Sequence, residues 1–102
     1  MGNWILYDSG STIGEIGTEN GEIIFDEEYA NSSRITLERM NSIAHSITCG
    51  IYGLTFYTTF ATTETEAKEK YDGMKEDIKE FIDTYTEETD VATWVKQFVE
   101  KW

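Results

Sequence analysis

Ile51-Tyr52-Gly53-Leu54-Thr55-Phe56-Tyr57-Thr58-Thr59-Phe60-Ala61 runs directly into Thr62-Thr63-Glu64-Thr65-Glu66-Ala67, and this junction decides the fold. The first run is β-branched and aromatic, the composition of a strand. In the second, Thr63 is placed to accept a backbone N–H while Glu66 reaches back, the capping box that starts a helix. The hydrophobic period therefore changes at Thr63 from two to 3.6. Downstream, Ala67, Tyr71, Met74, Ile78, Phe81, Ile82 and Tyr85 form one helical stripe. Gly73 interrupts it at a cost of about 1 kcal/mol against Ala, which fits either a close approach or a slight bend. A second helix is predicted from Thr89-Asp90, burying Val91, Trp94, Val95, Phe98, Val99 and Trp102.

Upstream of the junction the signals are those of strands. Trp4-Ile5-Leu6-Tyr7 is a short apolar run closed by Ser9-Gly10-Ser11. Thr12-Ile13-Gly14-Glu15-Ile16-Gly17 and Glu22-Ile23-Ile24-Phe25 flank Asn20-Gly21, a dipeptide suited to the positive φ of a two-residue hairpin. That register would set Glu19 against Glu22 and Glu15 against Asp26, so either the loop is longer or the acidity is wanted. After a turn at Ala30-Asn31-Ser32, residues 33–40 alternate with Ile35 and Leu37 inward and Arg34, Glu38 and Met40 outward. Residues 43–49 and 51–61 read as central strands. In the latter, Tyr52, Leu54, Phe56, Thr58 and Phe60 share the face expected to meet the helices, and Ile51, Thr55, Tyr57 and Thr59 the other. The expectation is a single α+β domain over residues 1–102: an antiparallel sheet of about five to six strands with two C-terminal helices packed on one face.

The chain has 102 residues, 20 acidic and 8 basic, for a formal charge of -12. Such a surface repels phosphate backbones and anionic headgroups, so nucleic acid and membrane are excluded as partners and a basic protein is favoured. The alternative is that acidity serves only solubility. Residues 40–63 contain no Asp, Glu, Lys or Arg, but their Ser, Thr, Asn and His content marks buried strands and not a membrane span. The start of the chain lacks the basic region and long apolar run of a secretory signal, and Cys49 is the only cysteine, so the cytoplasm is the expected compartment.

No catalytic residue, metal site or cofactor is assigned. His45 and Cys49 are each unique, yet on one strand their Cα atoms would lie roughly 13 Å apart. One Cys and one His do not make a structural zinc site. Gly14, Gly17 and Gly21 lead into no helix and so form no phosphate loop. The candidate surface is instead electrostatic. Through Ala61 the chain has 8 acidic and 2 basic residues, and Glu15, Glu19, Glu22, Asp26, Glu27 and Glu28 are expected to gather on one projecting ribbon with Tyr29 as an aromatic anchor. On the helices, lysines interleave with glutamates and compensate most of the charge.

In size, acidity and helix-capped sheet the chain resembles the small acidic immunity proteins that protect bacteria from their own nuclease toxins, and some phage-encoded inhibitors of nucleic-acid-binding enzymes. That resemblance implies a stoichiometric inhibitor docking on the basic cleft of a nuclease or similar enzyme. Gly21-Glu22-Ile23-Ile24-Phe25-Asp26-Glu27-Glu28-Tyr29 with Ile47-Thr48-Cys49-Gly50-Ile51-Tyr52-Gly53 is also similar to a motif set of uncharacterised small bacterial proteins, which implies no activity. The second expectation is a small-ligand-binding or self-associating module, in which the uncharged strands form a pocket or a strand-mediated homodimer.

Overall fold

The computed structural model describes residues 3–102. Residues 1 and 2, part of the signal-sequence reading, lie outside the described residues, as does the side chain of Thr55. The chain forms β1 (Ile5–Leu6), β2 (Glu22–Tyr29), β3 (Ser33–Asn41), β4 (Ala44–Ile51) and β5 (Thr55–Ala61), then α1 (Glu64–Thr84) and α2 (Val91–Lys101). The five strands lie in the order β1-β2-β3-β4-β5, each antiparallel to the next, which is the α+β architecture expected from the sequence. No described helix is long and apolar enough to cross a membrane.

α1 starts where the junction predicts. Thr63 accepts from the Glu66 N–H at 3.1 Å, and Glu66 reaches back to the Thr62 N–H at 2.9 Å. Its buried positions are Ala67, Tyr71, Met74, Ile78 and Phe81, which pack on Ile35, Leu37, Ile47 and Cys49 of the sheet. Each large apolar side chain removed from water here is worth about 1.5–3 kcal/mol. α2, capped by Asp90, buries Phe98 and stacks Trp94 between Phe81 and Phe98 at centroid distances of 4.3 and 4.9 Å. Gly73 is the close approach and not the bend: a Cβ there would collide with the Trp102 ring, so the glycine makes room for the end of α2.

Two expectations are corrected. First, residues 12–17 do not form a regular strand: they meet the start of β2 through the Ile16 to Glu22 bridge and through Gly14 N–H to Ile23 C=O and Ile23 N–H to Glu15 C=O, both at 2.8 Å, while the short β1 pairs further along β2, Ile5 opposite Glu28. The hairpin loop is longer than Asn20-Gly21, closing from Gly17 N–H to Gly21 C=O at 2.9 Å, because the buried Glu38 carboxylate gathers the Glu19 and Gly21 N–H groups at 3.2 and 3.0 Å. Second, the faces of β5 are reversed. Tyr57 and Thr59 meet the helices, Tyr57 against Phe98 and Thr59 donating to the Trp102 carbonyl at 2.9 Å, whereas Phe56 and Phe60 are 78% and 55% exposed. The register decides it: Cys49 pairs Tyr57 and Ile35, and Ile47 pairs Thr59 and Leu37, so the face holding Ile35 and Leu37 is the one the helices cover.

Candidate functional site

The helices cover one face of the sheet and leave the other, outer face to the segment 7–21. Two buried carboxylates fasten that segment. Asp26, fully buried, accepts from Arg34 Nε and Nη2 at 2.9 and 2.7 Å, from Thr36 Oγ1 at 3.1 Å, and from Thr12 Oγ1 at 2.8 Å. Glu38, on the same face of β3 as Thr36, holds the loop through its N–H groups as described above. The Arg34 guanidinium lies on the Tyr7 ring, 3.6 Å from its centroid. Asp26 raises the pKa of Arg34 by accepting from it.

This arrangement disperses the acidic ribbon expected from the sequence. Asp26 is paired with Arg34 and inaccessible. Glu27 lies on the opposite face, where it accepts from Lys75 Nζ at 2.8 Å and Tyr71 Oη at 2.6 Å. Burial first, and then that carboxylate, push the Tyr71 phenol far above its ordinary range. Glu22 lies 3.7 Å from Arg39. Glu28 accepts from the Tyr52 hydroxyl at 2.8 Å, and burial together with this carboxylate pushes Tyr52 up to about 12. Tyr29 is wholly buried, its ring against Trp4 and its hydroxyl donating to Asp83 at 2.6 Å. Only Glu15 and Glu19 stay on the loop, Glu15 exposed and Glu19 half-buried. The strands are antiparallel and pleated, so neighbouring acids in β2 point to opposite faces, and the cations of β3 and α1 meet them there. The diagonal pairing of Asp26 with Arg34 was readable once the turn at residues 30–32 set Glu28 opposite Arg34.

A denser set of acids without an ion pair lies on the helix α1. There Glu69, Asp72, Glu76 and Glu80 are all exposed on one helical face, and none takes part in an ion pair among the described residues. The lysines of that helix are turned aside, Lys75 to Glu27 and Lys79 to Asp83.

Between the segment 7–21 and the β4–β5 turn the outer face holds an open trough of about 810 Å³. Its floor is Thr36, Thr48 and Gly50; one wall is Thr12, Glu15, Ile16 and Thr18, and the other is Tyr52, Leu54 and Phe56. Thr48 and Thr58 share a hydroxyl hydrogen bond at 3.0 Å. Around the trough, Ile16, Tyr52, Leu54 and Phe56 are 69%, 48%, 46% and 78% exposed, a concentration of large apolar side chains in an otherwise charged molecule. Sequence reasoning turned Tyr52, Leu54 and Phe56 toward the helices and read Ile16 as part of a strand, so it did not bring them together. The signal for the trough was the row of small or hydroxyl side chains at alternate positions, Ser46, Thr48 and Gly50 in one strand and Thr36 in its neighbour, which leaves a flat floor.

His45 and Cys49 both sit on β4 with Ile47 between them on the same face. Burial pushes the Cys49 thiol up to about 12, far from the thiolate a nucleophile requires.

Comparison with protein-family models, with curated proteins and with solved structures returns no match for this chain.

Proposed function

We propose that this chain is a non-catalytic binding module whose site is the outer-face trough, and that its ligand is a small, partly apolar molecule, neutral or cationic. One observation carries the reading: a trough of about 810 Å³ with a hydroxyl floor and an apolar rim, held open by a fastened loop. Small-molecule sites are concave, mostly apolar and of roughly 300–1,000 Å³, with a few convergent polar groups. The charge of the ligand follows from the walls. Among the described residues lining the trough Arg34 is the one cation, and Asp26 already engages it bidentately, while Glu15 stands at the rim. An anion would meet the field of the acids; a neutral or cationic molecule with an aromatic part would meet Phe56, Tyr52 and the threonine hydroxyls. The test is a thermal-shift screen with neutral and cationic aromatic compounds, repeated on Thr48→Phe, which fills the floor. Stabilisation of the wild type that Thr48→Phe abolishes supports the trough. No shift with any compound, or a shift that survives the filled floor, sinks it.

A second reading is favoured by the acidic face of α1. In it the chain is an inhibitor that docks on the basic cleft of a nuclease-like protein, with Glu69, Asp72, Glu76 and Glu80 in the role first given to the ribbon. Its association would be fast at low salt and weaken as salt rises. Reversing Glu69 and Glu76 to Lys would abolish capture of cationic proteins; capture unchanged by the reversal counts against it.

A further inference from the structure

We propose that two copies of this chain pair through the β5 edge about a two-fold axis at Thr58, so that Phe60 of the partner subunit closes the open side of the trough beside Phe56. This inference is independent of which ligand the trough holds.

β5, which the sequence led one to expect as a central strand, instead ends the strand order, so one of its sides has no neighbouring strand among the described residues. The pairing with β4 fixes what that side offers. Leu54 N–H donates to the Ile51 carbonyl at 3.0 Å with Gly53 at φ 80, a tight turn that starts the ladder at the Ile51 and Thr55 pair. Inward and outward backbone groups alternate from there, so Phe56, Thr58 and Phe60 turn their N–H and C=O away from β4. The Phe60 carbonyl confirms the sense: it accepts from Lys70 Nζ at 3.0 Å, on the free side of the strand.

The identity of the occupant follows from charge and register. A molecule of formal charge -12 repels its own copy over most of its surface, but residues 40–63, which include all of β5, carry no Asp, Glu, Lys or Arg. The paired strands themselves therefore bring no like charges together. The strand is also self-complementary. In an antiparallel pairing centred on Thr58, Phe56 faces the partner's Phe60 and Phe60 faces the partner's Phe56, as an isologous interface requires. Both side chains lie on the outer face at 78% and 55% exposure, so two cross-strand aromatic pairs leave water together. One contact is given up: Lys70 must leave the Phe60 carbonyl, and a lysine at an edge is a device that discourages pairing. Its ammonium is on a flexible stem and regains water, whereas the pairing supplies a ladder and two aromatic contacts. The product is one continuous sheet of ten strands with both troughs on the same face, each completed by a ring from the other copy.

Sedimentation of the full chain from micromolar to millimolar concentration tests the inference, alongside Phe56→Lys and a Thr58→Cys variant. The expected result is a concentration-dependent dimer whose dissociation constant rises about tenfold or more in Phe56→Lys. Because Phe56 is largely exposed, circular dichroism should show this variant folded. In Thr58→Cys, residues facing each other across the axis have Cα atoms about 5.5 Å apart, within disulfide reach, so mild oxidation should give a covalent dimer. The buried Cys49 does not compete, and cysteine placed at Ala92 on α2 should give none. A wild type that stays monomeric at millimolar concentration, or a dimer indifferent to Phe56→Lys, overturns the proposal. The disulfide reads the pairing alone and the thermal-shift screen reads the ligand alone, so either can fail without the other.

Discussion

Glu38 and Gly21 occupy each other's space: the Gly21 N–H donates to Glu38 Oε1 at 3.0 Å, and a Cβ on Gly21 would lie 2.9 Å from the Cβ of Glu38. Nothing larger than glycine fits without moving the strand beneath. Gly21→Ala is therefore expected to cost about 1–3 kcal/mol, read as a lower urea midpoint. Glu38→Ala, which strips the acceptor from buried N–H groups, should cost a similar amount. It should also free the loop, visible as faster amide exchange at Glu19 and Gly21. Unchanged exchange would show that the carboxylate does not fasten the loop.

Arg34 and Asp26 form a second fastening. Removing the arginine leaves a fully buried carboxylate whose remaining side-chain donors among the described residues are the Thr12 and Thr36 hydroxyls. Arg34→Met is expected to destabilise by about 3 kcal/mol, and Asp26→Leu added to it should recover most of that loss. Equal stability of the single and double variants would show that the buried charge is not the cost.

Ala30 adopts φ 52 beside Asn31 at φ 53, the left-handed pair of a tight β2–β3 turn. Asparagine tolerates this conformation, but alanine pays a steric penalty through its Cβ. Ala30→Gly is expected to stabilise by about 1 kcal/mol despite the greater freedom glycine gives the unfolded chain. A lower denaturation midpoint in Ala30→Gly would contradict the turn geometry.

Burial raises the Cys49 thiol from 9.0 to about 12, so above pH 9.0 the unfolded chain ionises there while the folded chain does not. Stability owed to this group is constant below that pH and falls between 9.0 and about 12, by up to about 1.4 kcal/mol per pH unit. Cys49→Ala should flatten the alkaline limb relative to wild type. The native thiol should react with a thiol reagent only after denaturation.

The helices and the outline of the sheet were legible because their signals are local. The Thr63 cap, the stripe from Ala67 to Phe81 and the alternation of Ile35 and Leu37 each need only a few neighbouring residues. What stayed illegible depends on pairing. Alternation in residues 51–61 separates two faces but cannot say which is inward; only the register of Tyr57 with Cys49, and of Cys49 with Ile35, does that. The fate of the acids is similar. Glu27 finds Lys75 48 residues away across the sheet–helix interface, a contact no local charge count contains. The trough was hidden for the same reason, since its two walls come from opposite ends of the strand sequence.

The strand order follows the chain without a crossover, and this has a consequence for synthesis on the ribosome. Each hairpin can close as soon as its second strand emerges, because every strand's partner is the one made just before it. The hazard comes next: once Ala61 has appeared, the sheet is complete while Ile35, Leu37, Ile47 and Cys49 remain bare until α1 is made. A nascent chain stalled at that point displays a sticky, coverless sheet, and it is there that a chaperone would find the most to hold.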